Sequence, residues 1–352
     1  MQTRTIIVAV MAMLLVAGAV QAASTIETVP VGNPGNAADT RYPDTYNGVS
    51  GFGAVAYEYN IGKYEVTAGQ YTAFLNAVAK TDTYALYNAA MSRTDYGSGI
   101  TQSGSLGSYA YSVDANFVNR PVNYVSFWDA CRFTNWLHNG QPTGAQGADT
   151  TERGAYTLDG YNGNGGGTIQ RNTDAKWAIT SENEWYKAAY YKGGSTDAGY
   201  WDYPTSSNTA PGQDMDDASG NNANYYAGGN NNPIDSPMWT TVAGEFQNSD
   251  SPYGTFDQGG NVWEWDEAIV YGSSDWTYVY RGMRGGSFGA GSPGYGPQFL
   301  HASMRENNNG SIYPTGEYLN MGFRVSEVPE PASLALLTLG GLAMLRRRLA
   351  RK

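Results

Sequence analysis

The chain has 352 residues, with 32 acidic against 21 basic side chains and a net charge of −11. Only Arg4 is charged in the first 22 residues, and residues 330–352 carry a net +4, so the stretch between them holds about −16. A body that acidic repels phosphate backbones and anionic lipid, which excludes nucleic acid as a partner. Aromatics at 13%, charged residues at only 15% and 45 glycines describe a folded, loop-rich chain, neither disordered nor a helical bundle. One cysteine, Cys131, excludes an intrachain disulfide and a multi-thiolate zinc site, and two histidines, His138 and His301, exclude a three-imidazole centre.

The chain opens with Arg4, an apolar run from Ile6 to Val16, and small residues around Val20-Gln21-Ala22. This is the pattern of a secretory signal peptide over residues 1–22, the apolar run being short for a membrane anchor. Residues 23–50, rich in Gly, Asn, Pro and Thr, read as extended.

Three helices are expected, each announced by a capping box. Thr67 with Gln70 precedes an apolar face of Tyr71, Phe74, Leu75 and Val78. Ser126 with Asp129 precedes a helix with Phe127, Ala130, Cys131, Thr134 and Leu137 inward, ended by Asn139-Gly140. Ser181 with Glu184 starts the third, with Trp185, Ala188 and Ala189 on one side. Loops are expected over 92–108, 140–176 and 192–224. Within them Tyr161 to Gly167 is too glycine-rich for a helix and is expected to join two short strands. Aromatic runs at Tyr57-Glu58-Tyr59 and Trp276 to Tyr280 suggest strands. Few helices, short strands and long loops make an α+β body, stable only if its loops are held by packing or by ions.

The most informative stretch runs from Tyr253 to Trp265. Asp257 and Glu264 bracket the turn Gly259-Gly260-Asn261. Two carboxylates with backbone carbonyls between them can wrap a hard cation such as calcium. A solvated turn with Trp263 and Trp265 in the core explains the same residues. His138, at a helix C-terminus, is favourable with the helix dipole.

At the far end, Pro329-Glu330-Pro331 is followed by an apolar run from Ala332 to Leu345 and then Arg346-Arg347-Arg348. This three-part order over residues 328–352 resembles the PEP-CTERM sorting signal, which implies an exosortase as processing partner, transient membrane anchoring and delivery to the envelope surface or extracellular matrix. An ordinary tail anchor implies export as well.

Ordered segments in the body carry a second resemblance. They are Ile61 to Thr67, Pro121 to Ala130, Thr180 to Trp185, Gly260 to Trp265, Arg284-Gly285-Gly286-Ser287-Phe288 and Gly322-Phe323-Arg324. Together they resemble the formylglycine-generating enzyme family, the sulfatase-modifying factor domain, over residues 23–327. The resemblance implies a C-type lectin-like fold of low regular secondary structure. It also implies a calcium site with side chains from Asp257 and Glu264 and carbonyls from Gly260 and Val262. A second site would start at Asn224 and Tyr225 and reach Asp235. Ser287 of the Gly-Gly-Ser motif and Arg305, which matches a family arginine near the cleft, are candidate ligand contacts; a structural hydrogen bond explains Arg305 as well. The family's oxidases bind copper(I) through two cysteines downstream of Gly-Gly-Ser, and those positions are Ala290 and Tyr295 here. Neither residue replaces a soft thiolate, so copper is not expected. The expectation is a non-catalytic, calcium-stabilised surface protein that binds a ligand such as a polysaccharide or sits in the matrix. The alternative is a formylglycine-type oxidoreductase or a divergent enzyme on that fold.

Overall fold

The computed structural model describes residues 24–44, 47–193, 199–228, 233–289, 296–305 and 312–328. The first 22 residues and the C-terminal sorting segment beyond Val328 lie outside the described residues, as do Ala290 and Tyr295. In chain order the elements are β1 (Thr28–Val31), β2 (Tyr59–Gly62), α1 (Ala68–Val78), β3 (Ile100–Ser103), β4 (Ala110–Val113) and α2 (Phe127–His138). There follow β5 (Trp177–Ile179), α3 (Glu182–Tyr190), β6 (Trp263–Gly272), β7 (Val279–Arg284), β8 (Met321–Phe323) and β9 (Val325–Glu327). The architecture is α+β with short sheets and long loops.

All three capping boxes form. Thr67 Oγ1 accepts from the Gln70 amide at 3.2 Å and the Gln70 side chain accepts from the Thr67 amide at 2.9 Å. Asp129 Oδ2 takes both the amide and the hydroxyl of Ser126, at 2.8 and 2.6 Å. Glu184 Oε2 takes the Ser181 amide at 2.8 Å. Such caps satisfy N–H groups that a helix start leaves open. Asn139 and left-handed Gly140 end α2 as the sequence requires.

α2 is buried on every side from Phe127 to Leu137, not on one face alone. Its polar residues are therefore paired: Arg132 meets Glu152 at 2.8 Å, and Asn135 donates to Thr151 and Tyr156 carbonyls. Against its Phe127, Phe133 and Trp136 pack Tyr71 and Phe74 of α1, Trp265 of β6 and Phe323 of β8. A second aromatic cluster, Trp185, Tyr186, Tyr190 and Tyr200 with Phe52, holds α3.

The sheets place the last residues of the body at its centre. β9 lies between β2 and β5 in the antiparallel order β1-β2-β9-β5, while β8 runs parallel to β6 in the order β7-β6-β8. One residue, Arg324, separates β8 from β9, so the chain changes sheet at that side chain.

Some local expectations change. The stretch 92–108 is not all loop: Ile100–Ser103 pairs with Ala110–Val113, because Ile100 and Tyr111 are buried under the α1 layer. The run Tyr161 to Gly167 does not join strands. Its glycines are backbone laid against aromatic rings, since a Cβ on Gly166 would come within 2.7 Å of the Trp128 ring and one on Gly167 within 2.2 Å of the Trp276 ring. The aromatic strands start later than their first ring: β2 begins at Tyr59, and β7 at Val279 with Trp276 in the turn at φ 59°.

Candidate functional site

The segment from Phe256 to Glu264 is bent by three left-handed residues, Asp257 (φ 59°), Gly260 (φ 95°) and Asn261 (φ 57°). Gly260 is required twice over, by its φ and because a Cβ there would sit 2.2 Å from the Asn224 carbonyl oxygen. That close approach lets the Asn261 amide donate to the Asn224 carbonyl at 2.7 Å. The Asn261 side chain is a buried hub. Its Oδ1 accepts from Asn224 Nδ2 at 3.1 Å and from the Thr241 amide at 2.9 Å, and its Nδ2 points at Glu65.

The turn delivers Glu264 into the interior, where it is fully buried. Arg324 grips it with two nitrogens, Nε to Oε2 at 2.6 Å and Nη2 to Oε1 at 2.7 Å. Trp185 Nε1 adds a bond to Oε2 at 2.7 Å. The same guanidinium donates to the carbonyls of Gly62 and Phe256, each at 2.9 Å, tying β2, the turn and β6 together. Two more carboxylates face it. Burial, reinforced by the charges of Asp257 and Glu264, holds Glu65 well above the usual carboxylate range. Burial likewise pushes Asp257 up to about 6, although the Gly244 amide donates to its Oδ2 at 2.6 Å. Arg324 is thus one cation among Glu65, Asp257 and Glu264. Beside Asp257 is a small, partly enclosed cavity of about 10 Å³, lined also by Asn222, Ser249 and Gly259, about the size of one water.

The two metal sites expected from sequence come out unequally. Asn224 belongs beside Gly260, and its Oδ1 is buried without a hydrogen-bond partner. Tyr225 turns its hydroxyl to the Pro211 carbonyl at 2.9 Å, while its own carbonyl accepts from Gln213. Asp235 is drawn away to Arg120 at 2.6 Å. Among the described residues no group of three or more His, Cys, Asp or Glu side chains has the arrangement of a metal site.

Ser287 is nearly buried, its Oγ held by Asn320 Nδ2 at 3.1 Å. Arg305 is also nearly buried, and its guanidinium faces Asp44 and Glu182, with contacts at 2.5 and 2.6 Å. Arg284 shares Glu182 at 2.8 Å, so Arg305 sits in an ion network and not on an open cleft wall. Cys131 is completely buried on α2, and burial pushes its thiol well above the ordinary range. His138 accepts from the Lys176 amide at 3.1 Å, and His301 packs edge-on between Tyr42 and Tyr203. Sequence reasoning missed Glu65, Asn261 and Arg324 as site residues. Each lies inside a segment already singled out, but nothing in one dimension says that those segments meet.

This geometry is accompanied by a family match. The sulfatase-modifying factor enzyme 1-like domain matches residues 29–328. The chain belongs to that family. A PEP-CTERM protein-sorting motif matches residues 327–349, which marks this family member for exosortase processing and sorting to the cell envelope surface. A search of curated proteins finds no match. Among solved structures the chain resembles CarF at 17% identity and TM-score 0.50, over 87% of this chain and 99% of that one. It also matches Treponema denticola variable protein 1 at 19% identity and TM-score 0.45, over 86% of this chain and 95% of that one, and PvdO from Pseudomonas aeruginosa at 19% identity and TM-score 0.43, over 86% of this chain and 92% of that one. The likeness to CarF concerns the fold alone.

Proposed function

We propose that this sulfatase-modifying factor-like body is a non-catalytic, calcium-stabilised protein of the cell surface that binds a ligand or forms part of the extracellular matrix. One observation carries the reading: the chain's single thiol, Cys131, is sealed in the core of α2. A copper(I) oxidase of the family type needs two accessible thiolates, and positions Ala290 and Tyr295 offer none. An exported domain sorted to the surface fits a binding or scaffolding role.

Calcium is supported by charge and by orphaned oxygen. Three buried carboxylates, Glu65, Asp257 and Glu264, face one guanidinium, and burial favours protons on Glu65 and Asp257 that a divalent cation would displace. The small cavity at Asp257 gives room beside a carboxylate, and the unpartnered Asn224 Oδ1 is a hard oxygen donor at the second expected site. Glu264 fits less simply as a ligand, because Arg324 and Trp185 already use it. The residues that would hold the ion are those the resemblance implies, Asp257 with the carbonyls of Gly260 and Val262, while Asn224 belongs to the second implied site.

Incubating the full chain with copper and a cysteine peptide of the sulfatase type tests the catalytic point by mass. Conversion of the peptide thiol to an aldehyde would overturn the non-catalytic reading. Chelation should lower the melting temperature, and Asp257→Ala should remove that dependence. This substitution is preferable to Glu264→Ala, which also breaks the pair with Arg324. Melting that ignores chelator would reject the ion.

A further inference from the structure

The far end of the β6–β7 hairpin carries an aromatic surface that the site above does not use. Tyr271 of β6 lies directly across from Tyr280 of β7, their ring centroids 5.5 Å apart and nearly parallel at 22°. Tyr278 joins both, 6.0 Å from Tyr271 and 5.8 Å from Tyr280. Tyr313, from the loop leading into β8, closes the cluster 5.1 Å from Tyr280. None of the four is buried, and Tyr271 is 37% exposed. The turn adds Trp276, 45% exposed although its backbone is left-handed at φ 59°. Strain of that kind persists only where surroundings enforce it. Here the ring lies against the backbone of Gly167 and Gly272, where an added Cβ would come within 2.2 and 3.0 Å of it, and the Trp276 carbonyl lies against Gly165. Ser273 and Asp275 brace the turn, the Asp275 Oδ1 accepting from Thr277 and Ser273 Oγ accepting from the Tyr278 amide.

We infer that this hairpin end, Tyr271, Tyr278, Tyr280 and Tyr313 with Trp276, is a binding platform for a neutral polysaccharide. The ligand class follows from the surface chemistry. Rings that also carry hydroxyls match a sugar, which presents flat C–H faces and a rim of hydroxyls. A protein docking patch would add aliphatic side chains, and this cluster has none. Charge then narrows the polymer: a protein of net charge −11, with Asp275 in the turn, repels uronate or sulfate chains. The rings are already fixed by one another and by the glycine bed, so little side-chain entropy is lost on binding. The inference rests on the ligand-binding reading of the domain and names its ligand; it does not depend on calcium.

The test is affinity electrophoresis of the full chain, in mild detergent, through gels containing hydroxyethylcellulose, galactomannan or dextran, with alginate as the anionic control. The expected result is retardation by at least one neutral polymer and none by alginate. Trp276→Ala and Tyr271→Ala should each weaken retardation roughly ten-fold, the loss of one ring contact. Tyr313→Ser, on a loop, covers the case in which a hairpin substitution unfolds the chain, and unchanged melting certifies each variant. Mobility untouched by all three neutral polymers would overturn the inference, as would retardation unaltered in well-folded Trp276→Ala and Tyr313→Ser. Chelator-sensitive melting with no glycan binding would reject the platform and leave the calcium reading standing. Aldehyde formation on the cysteine peptide would reject the non-catalytic reading by itself.

Discussion

Replacing Arg324 should harm this protein more than replacing its ion-pair partner. In Arg324→Met the buried carboxylate of Glu264 loses both nitrogens that hold it, and Glu65 and Asp257 lose their only nearby buried cation among the described residues. The carbonyls of Gly62 and Phe256 lose a donor as well. Removing one partner of a buried pair costs about 3–5 kcal/mol. With an unfolding entropy of roughly 2.1 cal/mol/K per residue, a body of about 300 residues loses about 1.6 °C per kcal/mol, so the melting temperature should fall by about 5–8 °C. Glu264→Gln should cost less. It keeps an acceptor for Trp185, and Arg324 can turn to two spare carboxylates, whereas the orphaned carboxylates in the first variant have no spare cation. The pH dependence follows in sign. Arg324 is the charge that lowers Glu65 and Asp257 against their burial, so without it both rise further above their unfolded values, and the variant's deficit grows as pH rises and shrinks in mild acid. Melting curves of both variants, in chelator at two pH values, decide it. A loss under about 2 °C for Arg324→Met, or a larger loss for Glu264→Gln, would refute the reasoning.

Burial raises Asp129 to about 7 and Asp266 to about 8, the latter with help from the charge of Glu182. Both lie above their unfolded values, so their contribution is complete in mild acid and is lost as pH climbs to about 7–8. Melting should therefore fall from pH ~5 to ~8, and Asp266→Asn should flatten that slope. Glu184 works in the opposite direction: burial opposes its ionisation, but Arg171 holds it down to about 2, so its contribution disappears only in strong acid. Gly260→Ala should cost more than about 2 kcal/mol, because the new Cβ meets the Asn224 carbonyl oxygen and φ is 95°; melting within a degree of the parent would contradict this. Cys131 should resist alkylation in the native chain and react fully in denaturant, so native labelling at the unfolded rate would show the α2 core to be open.

Local chemistry was legible along the chain. A capping box needs only residues three apart, so Thr67, Ser126 and Ser181 announced the helices without help from the rest of the molecule. Composition likewise announced an acidic, loop-rich α+β body, and ordered motifs pointed to the family that the comparison gives. What the sequence could not assign was partnership. Arg324 reaches Glu264 across 60 positions, and Asn261 reaches Glu65 across 196, because β8 and β9 close two sheets from the end of the chain. Charges that far apart have no periodicity to betray them. Only the folded interior, where an unpaired carboxylate is costly, fixes which acid each base must meet.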